Sequence, residues 1–98
     1  MSKYTDRELV DLARRGDGNA IGELFSRYWR AARAAAFGVT GEFASAEDAA
    51  AEAFKEALVG ISSLRDPDRF GAWLRTIVVR KSRLAFSSRQ STLEDPYG

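Results

Sequence analysis

Six cations gather late in the chain, at Arg65, Arg69, Arg75, Arg80, Lys81 and Arg83. Arg69, Thr76, Arg80 and Arg83 are spaced by seven, four and three residues, which on a helix places them along one stripe. A helix with one apolar side and one arginine stripe can pack on its own domain while following a phosphate backbone. An aromatic beside such a stripe can stack an unpaired base. Trp73 is that aromatic. Phe70 and Leu74 stand at core spacing from each other and read as packing residues, whereas Trp73 is left open between core and stacking roles. Just upstream, Asp48, Glu52 and Glu56, at i, i+4 and i+8, line one acidic edge, and Glu47 and Asp48 make an adjacent carboxylate pair. Adjacent carboxylates at a helix start stabilise its dipole and do not by themselves make an acid/base pair.

The remaining chemistry is narrowed by what the chain lacks. It has no cysteine and no histidine, which removes disulfides, thiolate nucleophiles, the usual zinc ligands and an ordinary neutral-pH base. Neither a phosphate-cradling glycine loop nor a nucleophile elbow occurs. The chain therefore reads as non-enzymatic, with no cofactor and no metal.

The formal charge of +1 conceals a segregation. Residues 42–58 hold one lysine against five carboxylates, a balance of −4, and residues 65–89 hold seven cations against two carboxylates, a balance of +5. Blocks of opposite sign point to two partner surfaces, or to charged faces that merely solvate helices. No apolar run approaches the roughly 20 residues of a membrane span, and no apolar leader opens the chain. A cytoplasmic protein, without membrane insertion and monomeric, is expected.

The elements that must carry these residues are helices. With 98 residues the chain makes one domain, and its many alanines, two prolines and lack of alternating strand patterns predict an all-α, compact four-helix domain. The first helix is capped at Thr5 with Glu8 in a capping box, carries Leu9, Leu12 and Ala13 inward, and stops at Gly16. The second opens after Asp17 or Asn19, places Ile21, Leu24, Phe25, Tyr28, Ala32, Ala35, Ala36 and Val39 on one face, and ends at Gly38 and Gly41. The third is expected to be capped by Ser45 with Asp48 at its third position, to bury Ala46, Ala49, Ala50, Ala53, Phe54, Ala57 and Ile61, and to close at Gly60. A short polar loop follows. The fourth has Asp66 as N-cap and Pro67 at its first position, with Phe70, Trp73, Leu74, Ile77, Val78 and Leu84 or Ala85 on its packed side. The domain is expected over residues 1–89, with residues 90–98 a flexible tail or the start of a linker to a second domain not included in this sequence.

In order and spacing, AEDAAAEAFKEAL (residues 46–58) followed by DRFGAWLRTIVVRKSR (residues 68–83) resembles region 2 of bacterial sigma factors of the extracytoplasmic-function (ECF) type. LVDLARRGDGNAIGELFSRYWRAARAAAF (residues 9–37) is similar to that family's opening two helices. The resemblance implies a transcription-initiation module that binds core RNA polymerase and recognises and melts the promoter −10 element. It implies that Glu47, Asp48, Ala51, Glu52 and Lys55 face the clamp of the polymerase's largest catalytic subunit. It also implies that the loop from Ser62 to Asp68 captures a flipped base. Arg65, Arg69, Trp73, Arg75, Arg80, Lys81 and Arg83 would then follow the non-template strand of the −10 element. The alternative is a sigma-like protein-interaction domain that binds a regulator, such as an anti-sigma factor, without productive promoter opening; the alanine run at 49–51 favours it.

Overall fold

The computed structural model describes residues 3–94. Four α-helices and two short 3-10 turns follow one another, and no strand occurs among the described residues. The helices are α1 (Asp6–Arg14), α2 (Gly18–Thr40), α3 (Phe43–Val59) and α4 (Phe70–Glu94), with the turns Ile61–Ser63 and Pro67–Arg69 between α3 and α4.

Local chemistry explains most of the boundaries. The Thr5 side chain accepts from the Glu8 amide while the Glu8 carboxylate accepts from the Thr5 amide, so the capping box is complete. Asp17 caps α2 through the Ala20 amide. Gly16 and Gly41 adopt φ of 84° and 69°, the left-handed geometry that glycine reaches without a Cβ clash. Gly38 does not end α2, contrary to expectation: the helix continues to Thr40 and stops only where Gly41 turns left-handed. The start of α3 is also corrected. Glu42, not Ser45, is the N-cap, accepting from both the amide and the hydroxyl of Ser45, and a carboxylate there also favours the helix dipole.

Three helices make the main body. The ring pairs Phe37–Phe43 at one end and Phe25–Phe54 further along align α2 and α3 antiparallel. Tyr28 beside Phe70 sets α4 parallel to α2. The seam of α3 is almost entirely alanine, with Ala46, Ala49, Ala50, Ala53 and Ala57 buried around Phe54. Side chains that small let neighbouring backbones approach closely, and the aromatic rings fill what remains. On α4 the buried residues are Phe70, Leu74, Ile77, Val78 and Ser82, whose hydroxyl donates to the Val78 carbonyl. Of the pair Leu84 or Ala85 expected on the packed side, Ala85 is half-buried and Leu84 is 59% exposed. The inward stripe passes through Val78 and Ser82 and leaves Leu84 on the outer side. α1 lies across one end of this body, its Leu9, Val10 and Ala13 buried. Val10 is a core residue that the expected stripe of the first helix omitted.

The connection after α3 is not a polar loop. Ile61, Leu64 and Pro67 are buried in it, so two 3-10 turns are packed down as part of the core. Asp66 caps the second of them by accepting from the Asp68 amide at 3.0 Å, and the α-helix proper begins only at Phe70. α4 then runs through Glu94. The part of the expected tail at residues 95–98 lies outside the described residues.

Candidate functional site

The basic stripe sits where the 3-10 turns feed into α4. Packing Ile61 and Leu64 inward turns Arg65 outward, and Arg69 at the end of the second turn is exposed as well. Trp73 is half-buried, its ring 6.1 Å from Phe70. Of the two open roles the packing one is seen, against Phe70, and Trp73 also lines a groove. Ser63, Arg65, Arg69, Trp73 and Thr76 line that groove. A second groove begins at the same Thr76 and continues along Arg75, Val79, Arg80, Arg83, Leu84 and Ser87. The two adjoin at Thr76, and their lining residues follow one another from Ser63 in the α3–α4 connection to Ser87 on α4.

The cations along it are not equivalent. Arg65, Arg69, Arg75 and Arg83 form no ion pair with any described residue. Arg80 and Lys81 both reach Glu56 on α3, Lys81 at 3.1 Å. The hydrogen bond from Arg80, followed by that from Lys81, holds the Glu56 carboxyl below the usual glutamate range. Of the stripe expected from the sequence, the structure therefore leaves Arg75 and Arg83 open and ties Arg80 and Lys81 to α3.

The acidic edge divides in a similar way. Asp48, Ala51, Glu52 and Lys55 are exposed and fall at i, i+3, i+4 and i+7 on one face of α3. Glu47 is exposed beside Arg33 of α2, 3.5 Å away, and Glu52 pairs with Lys55 at 3.7 Å. Glu56 does not share that face, which corrects the straight acidic edge. At 3.6 residues per turn, a residue eight positions on has drifted by about 80°, enough to bring Glu56 round to α4. Val59, 87% exposed at the end of α3, extends the outer face with an apolar side chain that the motif did not single out.

Sequence reasoning also missed the wall of the second groove at Val79, Leu84 and Ser87, and the pairing of Glu47 with Arg33. Leu84 was misread for a periodic reason: a 3.6-residue period from Phe70 returns close to Leu84, whereas the buried row Phe70, Leu74, Val78 and Ser82 advances by four residues and drifts about 40° per step away from it. The Arg33–Glu47 pair depends on how α2 and α3 lie against each other, which no local pattern encodes. No group of carboxylates able to hold a metal ion occurs among the described residues, and none of their helices is long and apolar enough to cross a membrane.

The geometry defines a class, a helical domain with exposed arginines along one helix and exposed carboxylates on its neighbour. The comparison with known families narrows it: the sigma-70 region 2 family matches residues 24–92, and the chain belongs to that family. The family is non-catalytic and acts in transcription initiation, at RNA polymerase and promoter DNA. No curated protein and no solved structure matches the chain.

Proposed function

We propose that this chain is the −10-reading region 2 domain of an ECF-type sigma factor, acting in the cytoplasm. The observation that carries the reading is the pair of adjoining grooves from Ser63 to Ser87, along which Arg65, Arg69, Arg75 and Arg83 have no ion pair with any described residue. Free guanidinium groups on an open track bind successive phosphates, and Trp73 at the head of the track offers a π-face to an unstacked base. Extruding that base costs a few kcal/mol, which the phosphate contacts offset. Asp48, Ala51, Glu52 and Lys55, with Glu47 beside them, are the face for the polymerase clamp. The regulator-binding alternative loses its support, because Ala49 and Ala50 are buried at 5% and 0% exposure and belong to the α3 seam. Only Ala51 of that run faces outward.

The test is fluorescence anisotropy with a pool of short non-template-strand oligonucleotides varied at the −10 positions, read across a salt series. Binding should be selective and salt-sensitive. Replacing Arg75 and Arg83 together by Ala should flatten the slope of log K against log salt by about 1.4, at about 0.7 per lost single-strand phosphate contact. An unchanged slope and affinity would remove α4 from the DNA interface.

A further inference from the structure

We propose that α1, which lies wholly before the family-matched residues, is the positioning element for the head of this groove, with Arg7 and Arg14 clamping the α3–α4 connection. The proposal rests on the reading above, in which that groove takes single-stranded DNA.

The two arginines stand seven residues apart, two helical turns, and so project from the same side of α1. Arg7 grips Asp68 with two parallel hydrogen bonds, Nε to Oδ1 at 3.2 Å and Nη2 to Oδ2 at 3.0 Å, and Nη2 also reaches Asp66 Oδ1 at 3.3 Å. This fork geometry fixes direction as well as distance. Asp66 Oδ1 is also the oxygen that caps the second 3-10 turn, so one guanidinium secures both the cap and the residue it caps. Arg14 takes the other half of the connection, donating through Nε to the Ile61 carbonyl at 3.4 Å and through Nη2 to the Leu64 carbonyl. α1 is anchored in turn, since Asp6 pairs with Arg27 at 2.9 Å and accepts from Tyr28, both on α2.

The consequence falls on the groove. Ser63, Leu64, Arg65, Asp66 and Arg69 line it from the connection, and Ala72, Trp73 and Thr76 from α4. The α4 wall is a regular helix, whose own backbone bonds keep it in place. The other is a connection with few backbone bonds of its own, Ser63 to Gly60, Leu64 to Ile61 and Arg69 to Asp66. A wall left to itself would have to be ordered when a base enters, and that ordering would subtract from affinity. Arg7 and Arg14 order it beforehand through its carbonyls and carboxylates, including those of Leu64 and Asp66, which line the groove, while neither arginine lines it. They are positioning residues, and their loss should loosen the pocket without removing a phosphate contact.

Salt dependence separates those two roles. In Arg7→Ala combined with Arg14→Ala, amide exchange across residues 61–69 should quicken while the buried amides of α2 and α3 keep their protection. Oligonucleotide affinity should fall about tenfold and base selectivity should shrink, with the salt slope unchanged. The charge swap Arg7→Asp with Asp68→Arg should restore selectivity, which keeps the question decidable if the alanine variant melts at the assay temperature. A slope that drops by about 0.7 for each arginine removed would make them phosphate contacts and overturn the clamp. Wild-type exchange in the connection, or wild-type affinity and selectivity in the variant, would overturn it too. If the unaltered domain itself shows no salt-sensitive binding, the DNA reading falls, an outcome distinct from a clamp that fails while wild-type binding persists.

Discussion

Tyr28 illustrates how much can hang on a single side chain. Its hydroxyl donates to Asp6 of α1 and its ring meets Phe70 edge-on at 5.3 Å, so it joins three helices. Burial first, and then the hydrogen bond to Asp6, push its pKa up to about 12. The sign follows from linkage. The folded value lies above the ordinary tyrosine value near 10, so the neutral phenol's contribution to stability is fully present below pH 10 and is lost as pH rises through about 12. Gly71 is what allows the ring to sit there, since a Cβ at that position would lie 2.9 Å from Tyr28 Cε1 and 3.1 Å from its hydroxyl oxygen. Gly71→Ala must therefore displace a ring held at both ends. Overpacking costs about 1–3 kcal/mol and alanine returns up to about 1 in helix propensity, so a net loss of about 1 kcal/mol is expected. With the Asp6 bond disturbed, the ionisation of Tyr28, followed by ultraviolet absorbance with Tyr28→Phe as the blank, should slide back toward 10. An unmoved titration would mean that the ring yields without losing Asp6.

Between elements, Glu56 is the shared residue: it belongs to α3 by sequence and to the basic stripe by contact. It holds Arg80, which lines the groove, and Lys81 beside it, and so neutralises part of the basic stripe. Glu56→Gln should release them, tightening oligonucleotide binding severalfold at low salt and steepening the salt slope by up to about 0.7 per freed cation. Because Glu56 is held below the ordinary glutamate range in the folded state, its pairing supports stability above that range and fades as pH falls through the lowered value. Urea melts from neutral to acid pH should show this fade in the wild type and not in Glu56→Gln. No gain in DNA affinity would mean that DNA never competes for those two side chains. This level is also where the sequence proved most and least readable. The caps at Thr5, Asp17 and Asp66 and the alanine face of α3 were legible because each depends on neighbours within four residues. Glu42 displaced Ser45 as a cap because the helix begins earlier, at Phe43, and the Glu42 carboxylate accepts from the Ser45 amide three residues on. The packed connection at Ile61 and Leu64, the Glu56 pairs and the Arg7 and Arg14 clamp depend on contacts 24 to 61 residues apart, and no local period carries them.

Across the whole molecule, the −4 and +5 blocks occupy adjacent helices yet open to solvent on separate faces, and among the described residues they are joined where Glu56 reaches Arg80 and Lys81 and where Glu42 meets Arg89. From Arg83 to Arg89 every residue of α4 except Ala85 is exposed, so the basic helix outruns the body that supports it, and Arg89 leans back to Glu42 at the start of α3, 3.0 Å away. A domain built this way should let its two partners be lost separately. Asp48→Arg with Glu52→Arg should abolish capture of a polymerase clamp fragment in pull-down and leave helicity intact, because both side chains are exposed and bury nothing. The same double reversal makes the domain four charges more positive. At about 0.15 M salt the Debye length is near 8 Å, so charges on the far face are largely screened and oligonucleotide affinity should stay within about twofold of wild type. At low salt the added positive charge should, if anything, speed association. Conversely, Arg75→Ala with Arg83→Ala should weaken DNA binding and spare clamp capture. With the four changes combined, the losses should add to within about 0.5 kcal/mol, as for independent sites. A fall in DNA affinity that accompanies loss of clamp binding, at physiological salt and with helicity preserved, would show that α3 and α4 act as one coupled surface rather than two.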